Sequence, residues 1–234
     1  MARIVCLANS WKRSERCIAG IEVATGHWLR PVTASADGSV PRHIRGVRKG
    51  EPALLDLLDL PLADDGPDFG FERENRLILP GRWYVRGQAH PDDLRRYVED
   101  AGPILHTAQR YVTVPQLQAL PPAERRTLQL IEATDFAVEA TRRQQSGHGV
   151  WKGTFSTRAG YHLTANITDP AYSGRLDAGH VPDRHCLLTI SLSLPWRPPS
   201  WELDDPCWKL IAGVIELSPG RAAFSCAELA AVPF

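Results

Sequence analysis

Hydrophobic and polar positions alternate with a period of two over much of the chain, in short segments bounded by glycine, proline or asparagine. That pattern predicts strands rather than helices. Residues 2–9 are apolar and rich in β-formers. In residues 17–23, Cys17, Ala19, Ile21 and Val23 alternate with Ile18, Gly20 and Glu22, and the turn ATGHW returns the chain as residues 28–32. This is a hairpin. LLDLLDL (54–60) fits a helical period, but Glu51-Pro52 and Pro61 leave too little length for a helix, so a buried strand is expected. Further strands are expected at 75–79 and 83–86.

One helix is expected over 91–102, where Pro91 suits a first turn and Asp92 and Asp93 favour the helix dipole. After the proline-rich LQALPPAERR a second set of strands begins. Residues 127–141 read as one long strand or a bent pair; 149–157 and 161–168 flank the turn Arg158-Ala159-Gly160; 185–194 and 207–217 follow. Five strands with a hairpin at positions two and three thus occur twice. The expected fold is mainly β: two five-stranded Greek-key barrels of the oligonucleotide/oligosaccharide-binding (OB) type, packed together with one or two short connecting helices. A two-sheet sandwich has the same strand count. The expected division is 1–100 for the first barrel with its helix, 101–126 for a connector and 127–234 for the second barrel.

Composition makes this a globular chain: 43% of its 234 residues are hydrophobic and 23% charged, which excludes disorder. No apolar run reaches the roughly 18 residues of a membrane span, and the apolar core of MARIVCLANSWK is short for a signal peptide, so a cytoplasmic protein is expected. The five cysteines are scattered without a CxxC pair, which argues against a disulfide framework or a ribbon-type zinc site. The zero net charge conceals a polarity. Residues 1–50 hold nine Lys/Arg against three Asp/Glu, and residues 51–100 hold six against twelve. Either a basic surface lies beside an acidic one, or the two neutralise each other in the fold.

Several segments are similar to the bacterial dual OB-containing domain family: LANSWK (7–12), RCIAGIEVATGHWLRPV (16–32), PALLDLLDLPL (52–62), ERENRLI (72–78), YHLTANITDP (161–170), LLTISLSLPW (187–196) and WKLIAGVIE (208–216). The resemblance spans nearly the whole chain and implies two OB folds in one unit. It implies binding of nucleic acid or a nucleotide and carries no catalytic signature onto these positions. The chain departs from the family pattern at Arg73, where a glutamine often precedes the Glu-Asn pair.

Two candidate binding surfaces follow from alternation. If Cys17, Ala19, Ile21 and Val23 face the barrel interior and Leu29 does too, then Trp28 and Arg30 point out, beside Arg16 and the preceding Trp11, Lys12 and Arg13. A cationic rim beside an exposed indole suits single strands, where stacking is worth about 1–3 kcal/mol per base. The structural alternative has Trp28 capping the barrel and Arg30 pairing with an acid such as Glu22. In the second hairpin, Trp151, Phe155, Tyr161, Leu163 and Ile167 share one side. Lys152, Thr154, Ser156 and Arg158 share the other with His162, Thr164 and Asn166. Such a face reads phosphate, sugar or base edges, or is simply a solvated sheet.

Catalytic and metal chemistry find little support. Glu72 and Glu74 with Asp56 or Asp59 have the residue types of a magnesium site for phosphodiester cleavage, but nothing in the sequence makes them converge. His180, His185, Cys186 and Cys207 are irregularly spaced for zinc, and SGHGVWKG (146–153) lacks phosphate-loop spacing. The expectation is therefore a non-enzymatic tandem OB module without metal or cofactor. It would bind single-stranded DNA or RNA, or a nucleotide, within a bacterial defence or nucleic-acid-processing system. The alternative is an adaptor that grips a protein partner; a metal-dependent nuclease is the third reading.

Overall fold

The alternating segments of the first third build one sheet from β1 (Ala2–Lys12), β2 (Glu15–Glu22), β3 (Trp28–Val32), β4 (Asp56–Leu60), β5 (Asn75–Leu77) and β6 (Tyr84–Gln88), with the short helix α1 (Arg42–Arg45) between β3 and β4. The computed structural model describes residues 1–48, 50–142 and 149–217; residues 146–148 of the glycine-rich stretch, Lys49 and Cys226 lie outside the described residues. The strand order is β5-β3-β2-β1-β4-β6. Its segment β4-β1-β2-β3 is a Greek key, and β5 closes onto β3 in parallel.

The same plan recurs downstream in β7 (Tyr111–Thr113), α2 (Val114–Ala119), β8 (Leu128–Ala133), β9 (Ala137–Arg142), β10 (Gly149–Ser156), β11 (His162–Asn166), α3 (Pro170–Asp177), β12 (Cys186–Leu192) and β13 (Pro206–Glu216). Residues 127–141 are the bent pair. β8 pairs with β12, and after the bend at Asp135, whose carboxylate accepts the Ser156 N–H, β9 pairs with β10. The order β12, β8/β9, β10, β11 repeats the Greek key, and a parallel bridge between Ile167 and Ile211 repeats the β3–β5 closure. Each barrel thus keeps five strand positions and adds an edge strand, β6 beside β4 and β7 beside β13.

The helices differ from expectation. Residues 91–97 form a 3-10 helix (Pro91–Tyr97) that stops early, because Val98 leaves to bridge Leu130 and the Glu99 N–H donates to the Leu130 carbonyl at 2.9 Å. Tertiary pairing outcompetes helix extension there. Two helices that were not expected start at side-chain caps: Thr113 and Gln116 form a capping box for α2, and Asp169 before Pro170 accepts from Ala171 and Tyr172 at 3.0 Å to start α3. Among the described residues no helix is long and apolar enough to cross a membrane.

Three apolar groups hold the fold. Ile4, Cys6, Ile18, Leu29, Leu58, Leu60 and Trp83 fill the first barrel, while Phe136, Phe155, Leu163, Leu188, Ile190 and Ile211 anchor the second. Between them, Val5, Leu7 and Ile21 meet Leu130, Leu187 and Ile215, and Ala8 and Ala19 meet Leu128 and Ala212 beside Trp28. The facing expected for the first hairpin is therefore corrected. Register pairs Gly20 with Leu29 and Ile21 with Trp28, so Ala19, Ile21, Trp28 and Arg30 share the face opposite Ile18 and Leu29. That face is covered by the second barrel.

The seam is tight enough to demand glycine. A Cβ at Gly213 would lie 2.3 Å from the Leu7 carbonyl oxygen, on the backbone of the other barrel. Gly213→Ala should lower the denaturant midpoint by the equivalent of about 1–3 kcal/mol, whereas Gly102→Ala, with nothing within 4 Å of the added carbon, serves as the neutral control. Equal midpoints for the two variants in chemical denaturation would contradict a close-packed seam.

Candidate nucleic-acid interface

An arginine on an apolar strand face must find counter-charges or leave the core. Arg30, 1% exposed at the centre of β3, finds two. Its Nη1 lies 2.7 Å from Glu72 Oε1 and its Nη2 lies 3.0 Å from Glu74 Oε1, with a further donation from Nη2 to Thr127 Oγ1 at 2.9 Å. Thr127 Oγ1 in turn donates to Glu74, and Asn75 Nδ2 donates to the second Glu72 oxygen at 2.8 Å. The parallel pairing of β3 and β5 supplies this arrangement: the Arg30 N–H donates to the Glu74 carbonyl at 2.8 Å, which sets the guanidinium beside both acids. Burial by itself would weaken the arginine as a base, but the two carboxylates outweigh it and hold Arg30 charged. Burial pushes the Glu74 carboxyl above its ordinary range, against the pull of Arg30, because one guanidinium faces two acids.

This corrects two expectations. Arg30 does not face solvent, and its partners are Glu72 and Glu74 rather than Glu22. Nor do the four acids converge on a metal: Glu72 and Glu74 are taken by Arg30, Asp59 is held at about 2 by Arg3 at 2.6 Å and Arg86 at 2.8 Å, and Asp56 accepts from the Ala53 N–H. His180 pairs with Glu216, His185 with Glu132, and the Cys186 thiol donates to the Asp183 carbonyl. Among the described residues no group of three or more metal-ligating side chains is placed to hold an ion.

With the hairpin face closed, the seam stays open at its ends. One cleft, about 290 Å³, is lined by Trp11, Lys12 and Arg13 from the first barrel and by Leu194, Pro195 and Trp196 from the second, with Arg30 and Glu72 in its wall. Both indoles are open to solvent, Trp11 at 49% and Trp196 at 58%. Both are held by their backbones: the Trp11 N–H donates to the Thr168 carbonyl, the Trp196 N–H to the Pro206 carbonyl, and Trp208 Nε1 to the Trp196 carbonyl at 2.9 Å. The Arg16 guanidinium stacks on Trp11 at 3.6 Å from the ring centroid, and Arg13 reaches Asp37 at 3.7 Å.

A second cleft, about 550 Å³, lies where Glu74 and Thr127 form the wall. Half-buried Trp28 and Tyr97 line it together with Arg73, Arg76, Arg96, Arg125 and Arg126. The Arg16 guanidinium, stacked on Trp11, also reaches Glu51 at 3.3 Å and lines a third cleft with Asn9 and Tyr172.

The structure thus brings Trp11, Lys12 and Arg13 together, separates Trp28 from them and removes Arg30 to the interior. The second predicted surface is elsewhere. Lys152 pairs with Asn166, Thr154 with Thr164 and Ser156 with His162 across β10 and β11, so these residues do share one face. Lys152 also stands opposite Glu139 of β9, and Arg158 reaches Glu132 and Asp100. None of them lines the three clefts. Sequence reasoning missed Trp196 and the five arginines: a tryptophan in an irregular segment and cations from separate segments leave no local pattern.

The dual OB-containing domain family matches residues 2–214. No curated protein and no solved structure matches the chain.

Arg30→Ala strands Glu72 and Glu74 in the interior and should cost about 3–5 kcal/mol of stability, read as a lowered melting temperature. Glu74→Gln should not. With its folded pKa above the unfolded one, Glu74 keeps a proton in the folded chain that the unfolded chain has already lost, so stability falls as pH rises through that window. Glu74→Gln should remove that fall in melting curves recorded against pH. An unchanged melting temperature for Arg30→Ala would contradict the assignment.

Proposed function

The chain belongs to the dual OB-containing domain family, and from that premise we propose that it is a tandem OB module that binds single-stranded nucleic acid at the seam between its barrels. One observation carries the reading: Trp11 and Trp196, from different barrels, line a single cleft rimmed by Lys12 and Arg13. An exposed indole offers a π face to any base, and neighbouring cations hold the backbone. Two indoles facing one cleft give successive bases a platform each.

The expected binding is tolerant of sequence and sensitive to salt. The cleft offers stacking faces and point charges but few fixed donors aimed at base edges. The polar face of β10 and β11 supports the reading less, since its hydroxyls largely satisfy one another, as between Thr154 and Thr164 at 2.9 Å, and the pairs that compose it include no tryptophan, tyrosine or phenylalanine.

Fluorescence anisotropy with labelled DNA and RNA of about 12 nucleotides, within the usual span of an OB fold, tests this. Trp11→Ala combined with Trp196→Ala should weaken binding by about tenfold or more, given about 1–3 kcal/mol per stacked base. Lys12→Ala and Arg13→Ala should each lower the slope of log K against log salt by about 0.7. No binding at micromolar protein, or binding indifferent to salt, would contradict the proposal.

A further inference from the structure

We infer that the arginine-lined cleft at the other end of the seam is a separate site for a nucleotide that carries a terminal polyphosphate. The charge in this cleft is not compensated from within. Of its two acids, Glu99 is paired with Arg126, and Glu74 is committed to Arg30 and Thr127. The guanidiniums of Arg73 and Arg96 make no hydrogen bond or ion pair among the described residues; that of Arg96 only stacks on Tyr97, 4.8 Å from the ring centroid. Arg76 spends one nitrogen on the carbonyls of Arg73 and Asn75, and Arg125 gives two donors to the carbonyls of Leu120 and Gln118, which fixes both while leaving donors free. Four guanidiniums are therefore gathered without counter-charge.

Like charges lining one cleft repel, and a dense anion is the ligand that offsets them best. A strand carries one charge per nucleotide, spread along its backbone, whereas a terminal di- or triphosphate concentrates several at one point. Arginine is the side chain suited to phosphate oxygens, because its planar fork donates in pairs. The cleft volume of about 550 Å³ falls in the range of small-molecule sites. Trp28 and Tyr97 supply apolar wall for the base. The turn between β2 and β3 stiffens that wall: Gly26, at φ +74°, packs so closely that a Cβ would meet the Tyr97 ring at 3.1 Å. The other cleft lacks this charge density, having Lys12 and Arg13 beside Asp37. The inference stands on different residues from the strand-binding proposal and survives its failure.

A free nucleoside triphosphate and the 5′-triphosphorylated end of a strand present the same chemistry. Calorimetry on the full chain should use ATP, adenosine and inorganic triphosphate, together with one RNA oligonucleotide made with either a 5′-triphosphate or a 5′-hydroxyl. ATP and inorganic triphosphate should bind and adenosine should not. Arg73→Ala combined with Arg96→Ala, both exposed and unpartnered, should lower ATP affinity by about tenfold or more. The melting temperature and the affinity for the 5′-hydroxyl oligonucleotide should stay unchanged. A triphosphorylated oligonucleotide that binds more tightly than both ATP and its 5′-hydroxyl twin identifies the strand end as the source; otherwise ATP binding identifies the free nucleotide. Absence of ATP binding at millimolar ligand would overturn the inference. So would an ATP affinity indifferent to the double variant, or an equal loss for the 5′-hydroxyl oligonucleotide.

Discussion

The fold depends on one buried cation. Arg30 cannot discharge in a protein interior, so a strand that carries it inward must bring carboxylates with it. Glu72 and Glu74 arrive on the approach to β5 and Thr127 on the approach to β8, 97 residues along the chain from Arg30. The parallel β3–β5 pairing, the loop before β5 and the docking of the second barrel therefore meet at one guanidinium. The surrounding apolar contact of Ile21, Leu130, Leu187 and Ile215 supplies the non-directional attraction. The ion network adds geometry: it fixes which residues of the two barrels stand opposite each other.

That arrangement decides where ligands can reach. In a single OB barrel the hairpin face of β2 and β3 is the binding surface; here the second barrel covers it. What remains are the ends of the seam, and the network forms a wall of both. Arg30 and Glu72 border the tryptophan cleft, while Glu74 and Thr127 border the arginine cleft. The two ends differ in chemistry, one with two exposed indoles and modest charge, the other with concentrated guanidinium charge and two half-buried rings. Packing one barrel against the other replaces one open face with two edges lined by both barrels.

Much of the fold was legible in the sequence because hairpins with period-two alternation and glycine turns are local features. The repeated five-strand pattern follows from residues close in the chain, whereas residues 127–141 read equally as one strand or a bent pair until the pairing of β8 with β12 and of β9 with β10 decides it. The facing of β2 was not legible. Ile18 is needed by the barrel core and Ala19 and Ile21 by the seam, so both faces are apolar and alternation cannot say which is inside; only the pairing of Ile21 with Trp28 decides it. The fate of Arg30 was hidden for a related reason. Glu72 and Glu74 read as paired carboxylates, and their common cation lies more than forty residues away in sequence, joined to them by a parallel pairing that no local signal announces. Helix α3 was not expected from the sequence; Asp169-Pro170, a cap followed by a first-turn proline, marks its start in the structure. Trp11, Lys12 and Arg13 were found because they are adjacent; Trp196 lies alone in an irregular segment, and the arginines 73 and 76, 96, and 125 and 126 come from three separate segments that only the packed seam joins.

Hydrogen–deuterium exchange of the full chain with and without a single-stranded oligonucleotide tests the central claim, that the seam carries the binding site, most directly. The account predicts slowed exchange at residues 10–13 and 194–197, from opposite barrels and on the same cleft. Protection confined to residues 150–156 and 162–166, the polar face of the second hairpin, would contradict it.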